Sequence, residues 1–129
     1  MSQQKKILIV DDEPDITELT KRFLQFEKYD TITCNSGQDA LHIIEEQHEE
    51  IALVLLDIMM PEMDGFTLLQ LIKSNDSYKN LLVVLFSVKN FHFDIVKGKE
   101  LGADGYLVKA ISGKELISYV KNILGENVA

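Results

Sequence analysis

The 129-residue chain is predicted to form one α/β domain, a doubly wound five-stranded parallel sheet with helices on both faces. Three observations lead there. Short apolar runs recur along the chain, segments with helical spacing separate them, and a hydrophobic content of 46% is enough to fill a single core. One domain spanning residues 1–129, with no linker and no repeat, is expected.

The first run, Ile7-Leu8-Ile9-Val10, is apolar throughout, as are residues 51–56, residues 81–86 and Tyr106-Leu107-Val108. Continuous apolar runs suit strands covered on both faces. Thr31-Ile32-Thr33-Cys34 alternates polar and apolar, which suits a strand with one less buried face, at the sheet edge. After the first run, Ile16, Leu19, Phe23 and Phe26 fall on one helical face, and Pro14 suits a helix start. Ser36 and Asp39 resemble a capping pair ahead of Ala40, Leu41 and Ile44. Leu68, Leu69 and Ile72 mark a third helix after Gly65. The stretch 91–101 is weakened as a helix by Gly98, with Gly102 a good C-terminal stop. Ser112 and Glu115 form a Ser-x-x-Glu capping box before Leu116, Val120, Ile123 and Leu124, and Gly125 closes that last helix. Five rounds of strand then helix fit the flavodoxin-like order 2-1-3-4-5, which places the alternating second strand at an edge.

Composition narrows the function. Asp and Glu outnumber Lys and Arg by 21 to 13, and a net charge of −8 repels nucleic acid and anionic lipid. No apolar run approaches the roughly 20 residues of a membrane span, and residues 1–6 lead into no signal-peptide core, so a cytoplasmic location is expected. The single cysteine, Cys34, cannot form an internal disulfide and is read as core filler.

In open sheets of this type ligands bind beyond the carboxyl ends of the strands where the order reverses, here between strands one and three. Strand one ends in Asp11-Asp12, strand three in Asp57, strand four in Ser87 and strand five in Lys109. Converging carboxylates repel one another unless a cation neutralises them. Oxygen-only ligands without histidine or cysteine point to Mg²⁺, with Asp12 and Asp57 as direct ligands and Asp11 acting through water. An Asp57 oxygen can then act as nucleophile toward a phosphoryl group, whose other oxygens Lys109 and Ser87 contact. Singly, each residue has a blander reading as a turn former, a cap or a solvated lysine. On four strands of one sheet, coincidence is a poor explanation.

At this point the chain resembles the response-regulator receiver family of two-component signal transduction across essentially its whole length. The matching stretches are Ile7-Leu8-Ile9-Val10-Asp11-Asp12-Glu13-Pro14, then Leu56-Asp57-Ile58-Met59-Met60-Pro61-Glu62-Met63-Asp64-Gly65, then Gly102-Ala103-Asp104-Gly105-Tyr106-Leu107-Val108-Lys109. The resemblance implies a signalling switch and not a turnover enzyme. Asp57 would take a phosphoryl group from a phosphohistidine on a sensor kinase or phosphotransfer protein, with Asp11, Asp12 and the backbone carbonyl of Met59 arranging Mg²⁺. It further implies that Ser87 turns toward the phosphoryl group while Tyr106 turns inward, remodelling the face of the fourth helix, fifth strand and fifth helix. A downstream effector, or a second copy forming a homodimer, would read that face.

Two residues depart from the family pattern. Ala110 stands where the family usually has a cis-linked proline; a non-proline cis bond costs about 3 kcal/mol, so the loop bears that strain or goes trans, and Lys109 is expected to reach the site either way. Val88 replaces a small residue after Ser87, and either narrows the path of water to a phosphorylated Asp57, together with Met59 and Lys89, or fills core volume. His42, His48 and His92 lack metal-ligand spacing and are read as solvated. Phe91 and Phe93 are two apart, so a helix cannot bury both on one face; core packing is favoured, with one as a possible partner contact. Met59, Met60 and Met63 are read as loop packing.

Three other functions compete. An interaction module without phosphorylation is opposed by the intact Asp11, Asp12, Asp57, Ser87 and Lys109 and left open by Ala110. A turnover phosphatase would generally carry a second acid at the position of Met59. A nucleotide-binding enzyme would need a glycine-rich turn where this chain has Asp-Asp-Glu-Pro.

Overall fold

The computed structural model describes residues 5–88, 92–109 and 112–126. In chain order the elements are β1 (Lys6–Val10), α1 (Pro14–Phe26), β2 (Asp30–Cys34), α2 (Gly37–Gln47), a 3-10 turn (His48–Glu50), β3 (Ile51–Leu56), α3 (Gly65–Lys73), β4 (Leu82–Ser87), α4 (His92–Glu100), β5 (Gly105–Val108) and α5 (Gly113–Ile123). The strands form one parallel sheet ordered β2-β1-β3-β4-β5. This is the predicted doubly wound arrangement, with the alternating strand β2 at an edge.

Alternate side chains of each central strand feed two cores, because successive residues of a strand point to opposite faces. Leu8, Val10, Val54, Leu56, Val83 and Leu85 pack with Ala40, Ile44, Leu68, Leu69 and Ile72 from α2 and α3. Ile7, Ile9, Leu53, Leu55, Val84 and Phe86 pack with Leu24, Leu116 and Val120 from α1 and α5. That two-sided burial is why these strands read as unbroken apolar runs.

Helix ends follow local chemistry. Ser36, Asp64 and Ser112 cap α2, α3 and α5, each accepting the backbone N–H three residues on. At α5 the Ser112 hydroxyl also donates to Glu115 Oε1 at 3.2 Å. Gly102 and Gly125 take left-handed φ values of 98° and 76° after α4 and α5. At the end of α1 the same position is Lys28, φ 68°, where Tyr29 N–H reaches Leu24 O at 3.0 Å and Lys28 N–H reaches Gln25 O at 2.8 Å.

In α1 the face that reads as apolar is not the buried one. Thr17, Thr20 and Leu24 are buried, whereas Leu19, Phe23 and Phe26 are exposed, Phe26 to 86%. The Thr17 hydroxyl satisfies itself on Pro14 O at 2.8 Å, so a threonine fits the core side at little cost. Phe23 lies instead across Gly113 of α5, where a Cβ would collide with its ring. Together with Phe26 and Ile117 it lines an apolar groove between the two helices.

Helix α4 sits lightly on the sheet. Gly98 is its buried residue among those described, and a Cβ there would come within 2.5 Å of Leu85 Cδ1. Phe93 and Val96 are exposed, which corrects the expectation of core packing at Phe93; Phe91 lies outside the described residues. His48 also departs from its reading as solvated: it is half-buried and packs on Tyr78 with ring centroids 5.0 Å apart. His42 and His92 are exposed as read.

Burial within α1 sets the expected cost of change. Leu24→Ala should lower the unfolding free energy by about 2–5 kcal/mol, and Phe26→Ser should stay within about 0.5 kcal/mol, measured by urea denaturation. Equal losses for both would show that the outer face of α1 is covered in solution.

Candidate functional site

The acidic site forms where β1 and β3, neighbours in the sheet, send their helices to opposite faces. The hydrogen-bond ladder runs past the strands on both sides of β1. Asp11 N–H reaches Cys34 O at 3.2 Å, and Asp57 N–H reaches Val10 O at 2.9 Å. Both aspartates are thereby held at the rim, 2% and 3% exposed, with Asp12 half-buried beside them. One carboxylate oxygen from each of Asp11, Asp12 and Asp57 lies within 4.8 Å of the others.

Backbone contacts fix these side chains. Glu13 N–H donates to Asp11 Oδ1 at 3.0 Å, and the Asn35 side-chain amide donates to the Asp11 carbonyl at 2.8 Å. Met59 N–H approaches Asp57 Oδ1 at 3.4 Å. Gly65 opens α3 hard against Asp57: its N–H bonds Ile58 O at 2.8 Å, and a Cβ would overlap the Asp57 carbonyl oxygen. Sequence reading missed Asn35, because an asparagine between a strand and a capping serine carries no signal of its own.

Lys109 supplies the positive charge. Its N–H continues the β4–β5 ladder to Ser87 O at 2.9 Å. The ammonium, 5% exposed, lies against Asp11 Oδ2 and 3.4 Å from Asp57 Oδ1. Ala110, its bond to Lys109 and Lys89 lie outside the described residues. Ser87 is fully buried, and its side chain is hydrogen-bonded to the Tyr106 hydroxyl. Burial, and then the charge of Asp94, raise the pKa of that phenol.

Among the described residues Lys109 is the ammonium that faces these carboxylates, yet burial dominates at Asp57. Burial raises its pKa from 3.8 to about 6, helped by Asp11 and opposed by Lys109 and Met59 N–H. A hard divalent cation among oxygen donors would relieve this, so the donor set fits Mg²⁺. At the mouth of the site one of the two readings of Val88 is excluded and the packing of Met59 is corrected. Val88 is 65% exposed and fills no core, and Met59 is 52% exposed, whereas Met60 and Met63 pack as loop filler. Exposed Met59 and Phe93 border a groove running from Asp12 past Phe66, over which Lys97 Nζ sits 4.6 Å from the ring centroid. Cys34 is buried with its thiol pushed up to about 12 by desolvation, consistent with core filler.

Comparison with known proteins agrees with the fold. The family model described as response regulator receiver domain matches residues 7–121. The protein PilG of Pseudomonas aeruginosa is 37% identical over 124 residues, covering 94% of this chain and 90% of PilG. The CpxR homolog of Haemophilus influenzae, a transcriptional regulatory protein, is 39% identical over 92% of this chain, which spans only 50% of that relative. The solved structure of the chemotaxis protein CheY4 of Vibrio cholerae superposes with a TM-score of 0.87 at 25% identity, covering 94% of this chain and 99% of that one.

The raised pKa of Asp57 gives a signed expectation. Between about pH 4 and 6 the folded chain holds a proton that the unfolded chain has lost, so stability falls as pH rises through this window. In chelator, Asp57→Asn should therefore gain about 2–3 kcal/mol at pH 7.5, and the gain should vanish below about pH 4. Urea denaturation at both pH values checks it; an equal gain at both would refute the burial argument.

Proposed function

The chain belongs to the response regulator receiver family, and on that premise we propose that its Asp57 is the phosphoacceptor of a two-component switch. The observation that carries the reading is the convergence of Asp11, Asp12, Asp57 and Lys109 at the reversal of strand order. An Asp57 carboxylate oxygen attacks the phosphorus of a phosphohistidine on a sensor kinase or phosphotransfer protein. The new O–P bond forms as the P–N bond breaks, and the imidazole leaves with the electron pair. Asp12, Asp57 and the Met59 carbonyl would hold Mg²⁺ directly, with Asp11 acting through water; the ion supplies neutralisation of the transferring oxygens. The Lys109 ammonium and the Ser87 hydroxyl take up the remaining phosphoryl charge. Water later attacks the phosphorus, restoring the carboxylate and releasing phosphate.

Because the phosphoryl group rests on Asp57 as the signal until water removes it, we read the protein as a switch and not a turnover enzyme. Met59 stands where an aspartyl phosphatase would place its second acid. The signal leaves through Ser87 and Tyr106, whose side chains are already in contact, toward the α4-β5-α5 face. Exposed Phe93 and Val96 suit that face to an effector or to a second copy of the chain. The net charge of −8 argues against nucleic acid and anionic membrane as partners of this domain. Among the described residues no helix is long and apolar enough to cross a membrane. We read the site of action as the cytoplasm, with residues 1–129 acting as one receiver unit.

Incubation with Mg²⁺ and acetyl phosphate should give an acid-stable, base-labile mass increase that is absent in Asp57→Asn. No modification under any small donor would favour an interaction module that has lost phosphorylation. Val88, exposed at the mouth, is expected to slow the attack of water. Val88→Ala should shorten the phosphoprotein lifetime several-fold in a decay measurement, and an unchanged lifetime removes that role.

A further inference from the structure

Asp11 and Asp12 stand beyond the end of β1, where strand pairing no longer fixes the backbone by itself. The β1–β2 ladder runs from Lys6 opposite Asp30 to Val10 opposite Cys34, and Asp11 N–H adds one more rung to Cys34 O at 3.2 Å. In a parallel ladder the Asp11 carbonyl would next receive the N–H of Ser36. That rung is not made among the described residues, where Ser36 instead caps α2, its hydroxyl accepting Asp39 N–H. The Asn35 side chain fills the gap, its Nδ2 donating to Asp11 O at 2.8 Å.

The bond is made to the peptide that joins the two acids. Rotation of that peptide swings the Asp12 carboxylate relative to Asp11, whose own side chain is pinned by Glu13 N–H and by Lys109. We infer that Asn35 is a positioning residue of the acidic pocket, its amide holding the Asp11–Asp12 peptide so that both carboxylates face Asp57. The inference rests on the proposed role of that pocket. Asn35 touches neither the reacting atoms nor the metal ligand oxygens; it acts through the backbone of Asp11.

Two donor-free variants test this, Asn35→Ala and the near-isosteric Asn35→Leu, beside Thr33→Ala as a control on the same edge strand. Loss of one oriented hydrogen bond should weaken Mg²⁺ binding in both variants by about three- to tenfold in calorimetric titration. Thr33→Ala should bind Mg²⁺ as the unmodified chain does. The metal-free backbone amide resonances of Asp12 and Glu13 should shift in both Asn35 variants, with melting temperatures close to that of Thr33→Ala. Unchanged Mg²⁺ affinity in both variants overturns the inference, as does a loss that merely follows melting temperature across all three. If the unmodified chain takes no Mg²⁺, the reading of the pocket falls separately; unmoved Asp12 and Glu13 resonances would then overturn the role of Asn35 on their own.

Discussion

Asp11 and Asp57 are held almost out of water beside each other, and like charges so placed need a cation against them. The ammonium of Lys109 lies against both. The strand order makes the meeting possible, since β1 and β3 must be adjacent and β5 must end at the same rim. The site is therefore a local weakness held by a strong frame: two apolar cores clamp the sheet while its edge carries unbalanced charge. Binding of a divalent cation, or neutralisation of Asp57 by any route, moves the same balance.

Much of this was legible in the sequence, for a physical reason. Strands buried on both faces must be apolar at every position, so residues 51–56 and 81–86 announce themselves, and the polar residue that ends each one stands out. Helix α1 was less legible. Its periodic residues Leu19, Phe23 and Phe26 look like a core face, yet the core takes Thr17, Thr20 and Leu24, because a threonine can satisfy its hydroxyl on its own helix. Phe93 and Met59 misled in the same direction: apolar character in a sequence does not say whether a side chain meets the interior or a partner.

What stayed hidden in the pocket acts through backbone atoms. Asn35 and Gly65 bear no charge and contribute no ligand, but one meets the Asp11 carbonyl and the other leaves room for the Asp57 carbonyl. Such roles depend on which peptide passes nearby, a fact of tertiary structure that residue type does not encode. Lys28 is a similar case at the end of α1, where the left-handed position usually marked by glycine is occupied by a lysine.

Helix α4 rests on β4 through Gly98, its buried residue among those described. A helix whose buried residue is a glycine places few demands on its exposed positions. Its outer positions are free to drift under selection for a new listener without threatening the fold, provided the glycine stays. Divergence of output from a common chemistry is thus cheapest on this helix, and lineages built on the scaffold can acquire new pathways by changing residues that the core never contacts.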